Sequence, residues 1–132
     1  MRATVIELDG GLAILGTRHY VHLRVTDSHI LRDAAALDVA MREALANSGL
    51  HVVAQTAHSF ANPSAVTGLY VLAESHAAVH TWPEWHLLTL DLFCCRPQFN
   101  SSILVTAILS RMRGEVLLHE QLPVNLEPID QY

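Results

Sequence analysis

An α+β two-layer sandwich, one antiparallel sheet with two helices on the same face, is the fold class this sequence predicts. Three observations lead there. Apolar alternation marks several strands, helical periodicity marks two segments, and the order runs strand, helix, two or three strands, helix, strand. Strands close together in sequence, with helices that are not regularly interleaved, favour antiparallel pairing over a parallel β-α-β winding. At 132 residues the chain accommodates one domain with a real core, and no repeat, linker or low-complexity tract divides it.

The elements follow in order. Residues 12–25 alternate in part and carry Val, Ile and Tyr, which predicts a strand from about Arg18 to Val25 behind an extension of some eleven residues. Thr26, Asp27 and Ser28 offer N-caps, and Leu37, Met41 and Leu45 recur every fourth residue, so a helix is expected over 30–47. Gly49 ends it, because a residue without Cβ adopts the left-handed conformation at a helix terminus cheaply. HVVAQTA, residues 51–57, reads as a strand, and Asn62, Pro63 and Ser64 read as a loop. The run VTGLYVLA reads as a buried strand ending near Glu74. AAVHTWPE follows, where Pro83 forbids a central paired position and suggests a bend. Residues 85–94 give a further strand. A second helix is expected over Ser101 to Met112, with Ile103, Ala107 and Ile108 on one face, and EVLLHEQL closes the chain as a short strand.

Composition excludes several function classes. A net charge of −5 with eight Lys and Arg argues against a phosphate-binding surface, so nucleic acid is not expected as a partner. No apolar run approaches the roughly 18 residues that span a bilayer. The start, MRATVIELDGG, has acids where a signal peptide carries its long apolar stretch, and a cytoplasmic protein is expected. Cys94 and Cys95 are adjacent and badly placed to bridge distant parts of a chain, so they are read as free thiols. Hydrophobic residues at 51% leave apolar surface for a partner subunit, which favours a homo-oligomer.

Chemistry concentrates between Gly68 and Cys95, in GLYVLAESHAAVHTWPEWHLLTLDLFCC. A serine, a histidine and a cysteine occur there as Ser75, His80 and Cys95, with Trp82-Pro83-Glu84 between the last two. Taken singly each has an ordinary reading: serine as a turn residue, cysteine as a small buried hydrophobe, and Trp82 and Trp85 as core or interface residues. A zinc set drawn from His76, His80, His86, Glu84 and a cysteine is disfavoured, since i, i+4 histidines share no close face on an extended segment and vicinal cysteines are not the spaced pair of structural zinc sites. No metal is expected.

Taken jointly, ESH, HTWPE and Asp-x-Phe-x-Cys at these spacings resemble the small prokaryotic S-adenosylmethionine decarboxylase proenzymes, and a looser likeness extends from about Thr17 to His119. The resemblance implies that the chain breaks its own Glu74–Ser75 bond, giving a β chain of residues 1–74 and an α chain of residues 75–132. Ser75 becomes an N-terminal pyruvoyl cofactor, which takes the substrate amine as a Schiff base and serves as electron sink for decarboxylation. His80 assists processing, Cys95 is the proton donor, and Phe60, Glu74 and Glu84 fall at substrate-binding positions. Alternation along a strand puts Cys94 and Cys95 on opposite faces, and the spacing from Ser75 favours Cys95. A homodimer or higher oligomer is implied too, because neighbouring protomers in this family commonly contribute to one active site. The pathway implied is polyamine biosynthesis, with spermidine downstream.

FANPSAVTG, residues 60–68, departs from the family's loop: one residue is inserted between Phe60 and Pro63, Ala65 replaces a glycine, and Thr67 replaces a serine that assists processing. Thr67 keeps a hydroxyl, so self-cleavage is still expected. Trp85-His86 stands where Tyr-Gly is usual. Displacement of Phe60, the expected adenine platform, leaves ornithine or arginine as alternative substrates, with Glu74, Glu84 and Asp91 as acidic partners for a basic side chain. A third reading is a non-processing regulatory homologue, against which intact Ser75, His80 and Cys95 speak.

Overall fold

A computed structural model describes residues 6–7, 13–61 and 64–126. Seven strands and two helices occur among them: β1 (Ile6–Glu7), β2 (Ala13–Val25), α1 (Ala34–Asn47), β3 (Val52–Ser59), β4 (Val66–Leu72), β5 (Ser75–Trp82), β6 (Leu87–Cys94), α2 (Ser101–Met112) and β7 (Gly114–Leu126). All pairings are antiparallel. β2 carries β6 on one edge and β7 on the other, and the sheet continues through β5 and β4 to β3.

Both helices cover one face, as the sequence predicts. Alternate residues of the strands are buried toward them, including Leu23, Tyr70, Val79 and Leu90, and they pack with Leu37, Met41, Leu104 and Ile108 from the helices. Among the described residues no helix covers the opposite face, and Leu69, Val71 and Trp82 there are 47%, 53% and 40% accessible. This difference decides the burial of β4. The VTGLYVL run is apolar throughout, yet every second residue faces the open side, so the strand is half-buried rather than buried.

Several expectations need correction. AAVHTWPE is not a link between strands: most of it belongs to β5, a central strand paired with β4 and β6 over its length. Pro83 stands just past the strand and opens a one-turn 3-10 helix, Pro83–Trp85, where its missing N–H removes no ladder bond. α1 begins at Ala34 rather than residue 30, because the Asp33 carboxylate accepts from the Ala36 N–H and displaces Thr26, Asp27 and Ser28 as the cap. Residues Ile30–Arg32 form a separate 3-10 turn. Gly49, at φ 78°, does follow the end of α1. The buried face of α2 is Ser101, Leu104, Val105, Ile108 and Met112, and Ile103 is half exposed, since the sheet lies on the 101/104/108 side. β2 and β7 run 13 residues each, longer than read, because each stabilises the other along almost its whole length. Trp85 is 70% exposed and with Trp82 lies outside the core. Asn62 and Pro63 lie outside the described residues.

Candidate active site

The hairpin of β4 and β5 turns through two residues, Ala73 and Glu74, with Leu72 paired to Ser75. Glu74 takes φ 67°. A turn whose second central residue has positive φ ordinarily places glycine there, and an L-residue in the left-handed region costs about 1–2 kcal/mol. The strain therefore falls on the residue that supplies the carbonyl of the Glu74–Ser75 bond.

The end of β6 arrives beside this turn. The Cys95 thiol donates to the Glu74 carbonyl oxygen at 2.8 Å, and the Cys95 N–H donates to Ser75 Oγ at 3.2 Å. One residue thus polarises the carbonyl and holds the hydroxyl next to it. Burial pushes the Cys95 thiol above its ordinary pKa, Cys94 and then the Glu74 charge add to the rise, and the Ser75 hydroxyl opposes it. The group stands as a neutral acid. Cys94 and Cys95 are both buried and make different contacts: the Cys94 sulfur accepts from the Arg96 N–H at 3.5 Å.

Thr67 and His80 pair across the same hairpin at its other end, where Thr67 Oγ1 and His80 Nδ1 share a hydrogen bond of 2.6 Å. With Nδ1–H as donor to the hydroxyl, Nε2 keeps its lone pair free as a base. Aromatic rings surround the imidazole. Phe60 lies 6.1 Å from it and Trp82 4.5 Å, centroid to centroid, and His58 packs edge-on against Phe60 at 4.7 Å. Phe60 is 43% exposed despite the altered loop, so its ring is available as a platform. Glu84 is exposed in the 3-10 turn beyond Trp82.

The site residues form two groups. Ser75, Glu74 and Cys95 come together, and so do Thr67, His80 and Phe60, but the groups stay apart. Ser75 and His80 stand five residue steps apart along β5, about 16 Å at roughly 3.3 Å per residue. Their side chains also take opposite faces: Ser75 alternates with buried Ala77 and Val79, His80 with His76, Ala78 and Trp82 on the open side. Two residues beside these groups have no site role in the sequence reading. Trp82 beside His80 was legible, since i and i+2 on a strand share a face. Arg96 was not: its side chain bonds the Gly49 carbonyl and borders a cavity of about 250 Å³ shared with Glu74, a neighbour distant in sequence. Among the described residues no three His, Cys, Asp or Glu side chains cluster as metal ligands, and no helix is long and apolar enough to cross a membrane.

The family model described as S-adenosylmethionine decarboxylase matches residues 17–122. The S-adenosylmethionine decarboxylase proenzyme of Pyrobaculum aerophilum is 32% identical over 104 residues, covering 79% of this chain and 83% of that one. The proenzyme of the same name from Methanococcus aeolicus is 33% identical over 94 residues, 71% of this chain and 80% of its own. The crystal structure of the adenosylmethionine decarboxylase from Aquifex aeolicus superposes with a TM-score of 0.69 at 19% identity, over 89% of this chain and 94% of that one, a likeness of fold. From the matched span and the identity over most of its length, the chain belongs to the S-adenosylmethionine decarboxylase family.

Proposed function

We propose that the chain is the proenzyme of a pyruvoyl-dependent S-adenosylmethionine decarboxylase that cuts itself between Glu74 and Ser75, within a cytoplasmic polyamine pathway. The observation that carries this is the double contact of Cys95 with the Glu74 carbonyl and the Ser75 hydroxyl at a turn of positive φ. The thiol hydrogen bond draws electrons from the carbonyl, and the Ser75 hydroxyl, on the next residue and bonded to the Cys95 N–H, supplies the nucleophile. An ester in place of the peptide bond releases the strain at Glu74. The pyruvoyl group made from Ser75 supplies an electron sink for decarboxylation, and the residues around Ser75 fit its formation. Cys95, kept protonated by its surroundings, then returns a proton to the substrate carbon. Phe60 offers a face for a purine, with Glu84 beyond it, and the family's named substrate contains one. Ornithine and arginine have no such support from the relatives, which are named for S-adenosylmethionine.

Among the described residues His51 lines the cavity beside Glu74, but His80, the base that the family resemblance assigns to processing, is about 16 Å from Ser75 in the same chain. A second copy resolves this. Two sheets packed by their open faces about a two-fold axis bring one copy's Thr67–His80 end toward the other's Glu74–Ser75 turn, and cover Leu69, Val71 and Trp82. The first measurement is the denatured mass of the purified chain beside Ser75→Ala. Fragments of residues 1–74 and 75–132 in the parent, the latter lacking a free amino terminus, and an intact variant are expected. Carboxyl-labelled S-adenosylmethionine should then release its label as CO₂. An intact parent chain, or release from ornithine or arginine instead, sinks the proposal.

A further inference from the structure

The cavity beside the scissile turn is bordered by a cation, Arg96, that forms no ion pair among the described residues. Gly49, Leu50, His51, Ala73, Glu74 and Arg96 line it, with a volume of about 250 Å³. Ion pairs among the described residues are Arg42 with Asp38 and Arg111 with Glu43, and Arg96 is in neither. One Nη1–H donates to the carbonyl of Gly49, a residue at φ 78° just past α1, which sets the guanidinium beside the cavity. The remaining donors of the fork are left for another acceptor. We propose that Arg96 receives the carboxylate that departs from Ser75 with Glu74 when the chain is cut.

This rests on the reading of cleavage at Glu74–Ser75, and the chemistry says where the charge goes. Attack of Ser75 Oγ on the Glu74 carbonyl carbon forms a C–O bond. The C–N bond breaks, and the nitrogen takes a proton to become the Ser75 amine. A base next removes the Ser75 α-proton, and the electron pair forms the Cα–Cβ double bond as Cβ–Oγ breaks. Both oxygens and the bonding pair leave with Glu74 as a new α-carboxylate. The dehydroalanine amine left at position 75 tautomerises to an imine, takes up water and releases ammonia. Elimination therefore places a second negative charge on a residue that already carries one, in a half-buried position next to a thiol that must stay protonated. Arg96 is the lasting cation on that cavity wall, with His51 the other titratable base there. A guanidinium binds a carboxylate through two parallel hydrogen bonds, so it favours departure of the leaving group and draws the cut end away from Cys95.

The test follows freshly synthesised precursor by denaturing mass, with and without hydroxylamine, for the parent, Arg96→Met and Arg96→Lys. Hydroxylamine splits an ester at Glu74 and leaves Ser75 with a free amine, so it reports the species that precedes elimination. Arg96→Met should cleave about tenfold more slowly, the worth of a charge-assisted bond, while hydroxylamine-labile ester accumulates. Arg96→Lys should fall between. Cleavage of the methionine chain at the parent rate, or slowing without ester, overturns the proposal. Should the methionine chain not fold, the lysine chain decides: slowed cleavage with ester supports it, and the parent rate overturns it. A parent precursor that stays intact and hydroxylamine-resistant fails at the earlier step and removes the cleavage reading itself.

Discussion

The two ends of the β4–β5 hairpin hold different parts of the proposed self-cleavage machinery. At the turn are a strained bond, the proposed nucleophile Ser75 and the proposed proton donor Cys95. At the open end are the Thr67–His80 pair and the rings that flank it. A rigid hairpin cannot fold its ends together, because every residue pair from Thr67–His80 to Leu72–Ser75 is held in register. If base and nucleophile act on one bond, the separation implies that one chain carries half of the proposed site and that a second copy supplies the other half from its opposite end.

The sharpest way to break that comparison is complementation. His80→Ala and Ser75→Ala, made separately, should each remain uncut, since one lacks the base and the other the nucleophile. Refolded together they should give cleaved chain up to about half of the His80→Ala population, because a mixed dimer holds one complete site. Denaturing mass reads this directly. No cut chain in the mixture would mean that base and nucleophile act within one protomer, and the division by hairpin end would be wrong.

Next in size is Cys95. Replacing it by alanine removes the proton donor and should lower decarboxylation by about 10²–10⁴, the usual worth of a positioned acid. The thiol is raised by burial first, so the active, protonated form persists as pH rises through the ordinary thiol range. Turnover should therefore fall only on the alkaline side of that range, as the thiolate forms. An alkaline limb at or below the ordinary thiol value would show that Cys95 is not the titrating donor.

Legibility differed between these two ends for a physical reason. The resemblance singled out Ser75, His80 and Cys95 by spacing, apolar alternation marked most strands, and helical periodicity marked α2. β5 was missed as a strand of its own. Strands are told apart by turn residues, and Ala73-Glu74 carries neither glycine nor asparagine. The signal is missing because the turn is strained, and the strain lies at the bond proposed to break. That Ser75 and His80 are far apart follows from the two-residue turn, so it was hidden with it. Arg96 was unreadable for another reason: its meeting with Gly49 and Glu74 is made by three elements, and no local pattern records it.

Phe60 tests the open end with a smaller effect. Phe60→Ala removes a ring that stands 6.1 Å from His80 and should leave self-cleavage intact. If the ring stacks on a purine, KM for S-adenosylmethionine should rise by the equivalent of about 1–3 kcal/mol, with kcat changed much less. An unchanged KM would take Phe60 out of the substrate site and place the aromatic run in the contact between copies.

The smallest effect probes the stiffness that keeps the ends apart. Tyr70 lies midway along β4, buried to 2% exposure, and its hydroxyl donates to Asp38 on α1 at 2.7 Å. Asp38 also pairs with Arg42 at 2.9 Å, so it keeps a partner when the tyrosine hydroxyl is removed. Tyr70→Phe preserves the ring packing and deletes one bond to a charged group, which should cost about 1.5–3 kcal/mol of stability by urea unfolding. Because the ladder between β4 and β5 is untouched, cleavage at a temperature well below the transition should proceed within about twofold of the parent rate, as the hairpin itself sets the positions of its ends. A large loss of cleavage with little loss of stability would show instead that the helix layer, through Tyr70, holds the turn in its strained form.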